Sequence, residues 1–207
     1  MGHVQNADGS LTFNSTPSTV EDFQAVANLA IRSGARPITS AERVQLSPSQ
    51  ARAGWLFTET DTGRIYQRTA SGWKVVFQDW TDYSPTTSGV TGGTVTGSYR
   101  RQGDQVDVQI RHVMAGANLS GQPGYSLPVT AESNSTEWFA GTVMLRDAST
   151  QTEMLGVARK LTAGVGPYVL MASTQYAQYG NVTASAPFTW AAGDVIDMQF
   201  SYRCVSS

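Results

Sequence analysis

Cysteine, histidine and charge are all scarce in this 207-residue chain. Cys204 is the single cysteine, which excludes an intrachain disulfide framework and any cysteine-rich zinc site. His3 and His112 are the two histidines, and no H-x-H or H-E-x-x-H spacing occurs. His112 lies in a strand-like run with apolar neighbours and reads as an interior or interface histidine in preference to a metal ligand. Asp, Glu, Lys and Arg make up 14% of the chain and sum to −2, so the basic footprint of a nucleic-acid-binding or membrane-surface protein is missing. No apolar run has the length of a membrane span, and Met1 to Ser15 lacks the apolar core of a signal peptide. Neither a P-loop nor a G-x-S-x-G elbow is present. Stability has to come from packing, from oligomerisation, or from both.

What is present is strand pattern and turn chemistry. Gly54 to Trp73 contains two short runs, Trp55 to Glu59 and Arg64 to Arg68, joined by Asp61-Thr62-Gly63. Ser71-Gly72 then leads to a third run, Trp73 to Phe77. Run lengths and glycine-containing breaks predict a three-stranded meander. A meander of this size exposes too little apolar surface to be stable alone. Asp61-Thr62-Gly63 also matches the triplet of aspartic proteases. That chemistry needs two carboxylates in an apolar surround, and the polar flanks Glu59, Thr60 and Arg64 favour a hairpin turn.

Upstream, Ser18 and Glu21 form a capping-box pattern, and Val20, Phe23, Ala27, Ala30 and Ile31 fall at helical spacing before Gly34 and Pro37. This predicts a short N-terminal helix with a narrow apolar stripe. Residues 37–53 read as a polar connector with a turn of helix. The segment from Gln78 to Gly93 has linker composition with two aromatics, Trp80 and Tyr83. Beyond it, Thr94 to Arg101 alternates, and Val106, Val108, Ile110, His112 and Met114 share one face, with Gln105, Asp107, Gln109 and Arg111 opposite. Further runs lie at Tyr125–Val129, Trp138–Arg146, Glu153–Arg159, Tyr168–Ser173, Val182–Phe188 and Val195–Cys204. The last places Ile196, Met198, Phe200, Tyr202 and Cys204 inward, so Cys204 reads as a buried thiol. The fold class is therefore mainly β: a short N-terminal helix, a small meander and a C-terminal antiparallel β-sandwich of jelly-roll type. The expected division is an N-terminal segment 1–53, a meander joint 54–79 and a sandwich domain 80–207.

The cassette Gly54-Trp55 … Thr60-Asp61-Thr62-Gly63 … Tyr66 … Gly72-Trp73 resembles those of tail-fibre and minor tail proteins of tailed bacteriophages. Trp80 … Tyr83 … Pro85, then Gly93 … Gly97 … Tyr99 … Arg101 … Gly103 … Val106, is similar to the opening of C-terminal domains on such proteins, notably in phages of actinobacteria. Tyr125-Ser126-Leu127-Pro128-Val129 and Pro187-Phe188-Thr189-Trp190 … Gly193-Asp194 also resemble that group. The resemblance implies a homotrimeric virion protein of the distal phage tail. Its N-terminal part would dock on other tail or baseplate proteins, and its C-terminal domain would face a host cell-surface glycan. Alternatives are a decoration subunit without receptor contact and a glycan-cleaving tail spike.

On that reading Val20, Phe23, Val26, Ala27, Ala30, Trp55, Tyr66 and Trp73 are candidates for docking or trimer contacts. Exposed amides and aromatics on loops suit sugars, and they single out Asn118 and Gln122 in one loop and Gln175, Tyr176, Gln178, Tyr179 and Asn181 in another. No catalytic residue, metal ligand or cofactor is expected. Asp104, Asp107, Glu132, Glu137, Asp147, Glu153, Asp194 and Asp197 are the carboxylates that cleavage would draw on; Asp104 and Asp194 fit turn capping better, and Asp107 and Asp197 fall on outward strand faces.

Overall fold

The computed structural model describes residues 3–5, 11–13, 36–47, 50–132, 140–161, 164–172 and 177–205, with backbone alone at 3–5, 11–13, 140, 170–172 and 177–179. Among the described residues it is mainly β, with a short helix. The helix expected from Ser18 to Ile31, with Val20, Phe23, Val26, Ala27 and Ala30, lies outside the described residues. The chain divides into two compact units between Gln78 and Asp79.

In the N-terminal unit, β1 (His3–Gln5) and β2 (Leu11–Phe13) pair antiparallel. β3 (Arg36–Ile38) runs parallel to β4 (Leu56–Glu59), and helix α1 (Ser40–Gln45) lies in the connection between them. Thr39 caps α1: its side chain accepts from the Glu42 N–H, and the Glu42 carboxylate accepts the Thr39 N–H at 2.7 Å. This reciprocal box satisfies donors that a six-residue helix otherwise leaves open. β4, β5 (Ile65–Arg68) and β6 (Trp73–Tyr83) form the expected meander. Its first turn is closed by the Gly63 N–H donating to the Glu59 carbonyl at 2.9 Å, with Gly63 at φ +68 where only glycine is unstrained.

Asp61 takes a structural part in that turn. Its carboxylate accepts the Ser40 N–H at 3.0 Å and the Ser40 hydroxyl at 2.5 Å, fastening the turn to the start of α1. Ile38, Ala51 and Phe57 form the buried apolar cluster, with Leu46, Trp55 and Trp73 packed against it. Trp73 meets Phe57 edge-on, with ring centroids 5.1 Å apart. Tyr66 is buried beneath the Arg43 guanidinium, 4.1 Å from its ring centre. Arg43 also donates to Glu59, a carboxylate only 1% exposed, at 2.5 Å, and Thr62 Oγ1 donates to the second Glu59 oxygen. Trp55, Tyr66 and Trp73, the docking or trimer candidates, make these contacts within the chain.

The C-terminal unit contains β7 (Thr87–Val90), β8 (Thr94–Gln102), β9 (Gln105–Val113), β10 (Leu119–Tyr125), β11 (Ala140–Asp147), β12 (Thr152–Leu161), β13 (Gly164–Ala172), β14 (Ala177–Asn181) and β15 (Val195–Arg203). Their order is β8-β9-β15-β11-β12-β13-β10-β7, with β14 also on β13. The last strand is inserted between β9 and β11 and pairs antiparallel with both. Inward residues match the alternation: Val106, Val108, Ile110 and His112 stand opposite Tyr202, Phe200, Met198 and Ile196, all buried. They join Val143, Leu145, Val165, Val169, Trp190 and Cys204 in one core.

Three local expectations change. The supposed linker after Gln78 is strand: Asp79–Tyr83 continues β6 beside β8, and β7 follows. The strand expected at Tyr125–Val129 comes earlier, at Leu119–Tyr125. Its breaker-like Gly121-Gln122-Pro123-Gly124 is accommodated because the β10–β7 ladder shifts register between Leu119 and Gly124, where Pro123 need not supply a ladder donor. The run Val182–Phe188 is a turn closed by Thr183 and Ala186, and Ala177–Asn181 ahead of it is the strand.

Candidate functional site

The side chains that alternate away from the core stand in rows across the sheet, because antiparallel register puts facing residues on the same side. One row is Thr96–Arg111–Asp197–Met144–Leu155, crossing β8, β9, β15, β11 and β12; the next is Ser98–Gln109–Gln199–Thr142–Val157. The first row whole and the second through Thr142, with Asp82 of β6, line an open groove of 510 Å³. Hydroxyls, amides and charges occupy one side, and Met144 and Leu155, the latter 72% exposed, the other. Arg111 Nη1 lies 3.7 Å from Asp197 Oδ2. Burial pushes the Asp197 pKa up, and the Arg111 charge offsets only part of that. A smaller hollow of 310 Å³, lined by Tyr83, Ser84 and Val95, shares Asp82, Thr96 and Gly97 with the groove.

Such a surface can exchange hydrogen bonds with a ligand. It carries amide and hydroxyl groups on a rigid ladder, and each can both donate and accept. It is poorly arranged for two-carboxylate chemistry. Asp82 and Asp197 are its carboxylates, and β8 and β9 stand between their strands. Three interstrand steps of about 4.8 Å make about 14 Å, against the roughly 5–9.5 Å between glycosidase carboxylates.

Asp194, Asp147 and Glu132 have partners within the unit. Asp194 is fully buried and accepts the N–H groups of Ala148 at 2.9 Å and Ala191 at 2.6 Å, which is the turn-capping role its Gly-Asp setting suggested. Asp147 accepts from Ser149 and Thr150, and these bonds hold its pKa below the ordinary carboxylate value. Glu132 faces Arg203 at 3.7 Å. Glu137 lies outside the described residues.

His112 is 0% exposed and both ring nitrogens are engaged. Nε2 is 3.0 Å from the Gly92 carbonyl, which can only accept, so the Nε2–H donates. Nδ1 is 2.9 Å from the Tyr125 hydroxyl, whose pKa burial pushes well up. With both ring nitrogens partnered inside the unit, His112 is an interior histidine. Among the described residues no group of three His, Cys, Asp or Glu side chains is placed to hold a metal ion.

Asn118 is exposed and its carbonyl accepts the Thr91 N–H at 3.1 Å. Gln122 is half-buried and gives its amide to the Pro167 carbonyl at 3.2 Å. Asn181 is exposed and pairs with Tyr168, so Gln122 and Asn181 adjoin the same stretch of β13. Gln178 and Tyr179 belong to β14, and Gln175 and Tyr176 lie outside the described residues. Asn118, Gln122 and Asn181 do not line the groove. The groove residues Gln109, Arg111 and Asp197 were visible in the sequence as outward positions. What united them is the insertion of β15 between β9 and β11, which no local pattern encodes. Comparison with protein-family profiles, with characterised proteins and with solved structures found no match to this chain.

Proposed function

We propose that this chain is an attachment protein of a tailed-phage virion that contacts a host-surface glycan through the outer groove of its C-terminal unit. The observation that carries the glycan reading is the row Ser98–Gln109–Gln199–Thr142, four uncharged hydrogen-bonding side chains abreast on paired strands. Sugars present hydroxyls in comparable density, and a preformed ladder spares the entropy of ordering a loop. The groove's formal charges, Asp82 and Asp197 against Arg111, sum to −1, which suits a neutral ligand better than a polyanion. The virion setting, docking through residues 1–53 and the homotrimeric state rest on the sequence resemblance. A trimer would present three grooves at once, and linked weak sites gain about 10²-fold to 10⁴-fold in avidity. The spacing of Asp82 and Asp197 favours binding over cleavage.

The test is adsorption of the purified full chain to candidate host cells, with phage adsorption as the competed signal. Gln109→Ala/Gln199→Ala should lower cell binding at least tenfold, and Asn118→Ala/Gln122→Ala should leave it within twofold. The reverse pattern would move recognition back to the loops. Failure of the wild-type chain to bind or to compete would remove the attachment role.

A further inference from the structure

The outer face continues past the groove. Two residues along each strand from Ser98, Gln109 and Gln199 stand Arg100, Asp107 and Ser201, a further row in the same register. Asp107 is the hub of that row, accepting from Arg100 Nε at 2.9 Å, Ser201 Oγ at 2.7 Å and Gln105 Nε2 at 3.0 Å. Burial works to raise its pKa, but the hydrogen bonds from Ser201, Gln105 and Arg100 and the Arg100 charge more than offset it and hold the carboxyl below its ordinary value. The row is therefore fixed in charge and geometry at neutral pH.

Arg100 in turn lies 5.3 Å from the centre of the Trp80 ring. Trp80 is 39% exposed, whereas Trp190 is buried in the core and Trp73 packs on Phe57. Trp80 and Asp82 are two residues apart on one strand, so their side chains leave the same face, and Asp82 lines the groove. The exposed indole, held beside Arg100, stands at the end of the groove's outer rows. Its apolar face and single N–H match the C–H face and hydroxyl rim of a sugar ring.

We infer that Trp80 is a stacking subsite that lengthens the groove, so that the site takes an extended neutral saccharide of three or more sugars. This rests on the glycan reading of the groove. From the Thr96–Arg111–Asp197 row to the Arg100–Asp107–Ser201 row is four residues of strand, about 13 Å, a span that one sugar ring does not fill. Arg100 and Asp107 cancel each other, so the extension adds no net charge to attract phosphate or nucleic acid.

The probe is wall polysaccharide from cells that bind the full chain, cut by mild acid and separated into fractions of one to six sugars. Calorimetric titration of the wild-type chain should show affinity rising at least tenfold between the two-sugar and four-sugar fractions. Trp80→Ala should flatten that rise and leave two-sugar affinity within twofold; Trp80→Phe, which keeps a ring, should retain most of it. If Trp80→Ala does not fold, Trp80→Leu supplies the same comparison with apolar bulk and no ring. Wild-type affinity independent of length, or a Trp80 variant that weakens every fraction alike, would overturn the subsite while leaving the groove. Binding of no fraction by the wild type would overturn the groove reading itself, whereas loss of all binding in Gln109→Ala/Gln199→Ala with length dependence intact in the wild type would uphold both.

Discussion

The two units hold themselves together by different means. Among the described residues the C-terminal unit gathers nineteen buried residues into one apolar cluster, and an interior polar contact, His112 with Tyr125 and Gly92, is closed on itself. Among the described residues the N-terminal unit has a cluster of three, and beside it a buried carboxylate, Glu59, held by Thr62 and by Arg43, whose guanidinium lies over the Tyr66 and Trp73 rings. Small domains bury proportionally less surface and are marginal for that reason. The smaller unit therefore leans on contacts that must be individually correct, and the larger one on many that are individually dispensable.

The strongest way to break this contrast is to make the same deletion on both sides. Phe57→Ala and Phe200→Ala each remove a fully buried ring and should each cost about 3–5 kcal/mol. Against domain stabilities of about 5–15 kcal/mol, that loss should unfold the small unit and leave the large one folded. Amide exchange would read it: Phe57→Ala should strip protection from β4 and β5 with β9 and β15 unchanged, and Phe200→Ala should lower protection in β9 and β15 without abolishing it. Equal survival of both units would mean that the small cluster is not what limits the first.

A smaller effect separates a buried ion pair from an exposed one. Arg43→Met leaves Glu59, 1% exposed, with the Thr62 hydroxyl as its remaining side-chain partner among the described residues, and loss of one partner of a buried pair costs about 3–5 kcal/mol. Arg100→Met acts on a pair whose arginine side chain is 40% exposed and should cost about 1 kcal/mol or less. Adding Glu59→Leu to Arg43→Met should restore most of the loss, because the uncompensated charge is gone. Chemical denaturation of the wild type and the three variants checks the comparison; an Arg43→Met loss no larger than that of Arg100→Met would show that Glu59 tolerates isolation and that aromatic packing, not charge pairing, secures this corner.

Those two corners also mark what a sequence can and cannot disclose. The hairpin at Asp61-Thr62-Gly63, the inward set of β9 and β15 and the buried Cys204 follow from period and turn chemistry, which act over a few residues. The partners of Arg43 do not: Glu59 is sixteen residues away and Tyr66 twenty-three, and only the parallel return of β4 beside β3 brings them under α1. For the same reason the outward residues of β9 and β15 were legible one strand at a time, while their union into a groove required knowing that the last strand lies between β9 and β11. Composition misled at Trp80–Tyr83, where threonine, aspartate and aromatics looked like a linker; flanking-strand pairing overrides local preference there. The seven loop candidates were selected by residue type, and type does not reveal that Gln122 has already given its amide to Pro167.

The smallest effect contrasts carboxylates of opposite tendency. Asp61 in the small unit is held below its ordinary pKa chiefly by the Ser40 hydroxyl, and Glu42 by Thr39; Asp197 in the groove is raised by burial. For Asp61 the folded pKa lies under the unfolded value of about 3.9, so its contribution is complete above that value and disappears as pH falls through the folded pKa. Asp197 has the reverse sign: its contribution is complete below the unfolded value and disappears as pH rises through the folded one. Acid should thus loosen the tie between the Asp61 turn and α1 while relieving the charge that burial disfavours beside Gln199, although Asp107 and Asp147 in the larger unit share the sign of Asp61. Side-chain carboxyl NMR titration should place the Asp61 midpoint under about 3.9 and the Asp197 midpoint over it. Ser40→Ala should bring Asp61 back toward the ordinary value, and Arg111→Gln should drive Asp197 further up. Coincident midpoints in the wild type would show that the groove is as open to water as the turn, and would leave its hydrogen-bonding row without the partial burial that gives it strength.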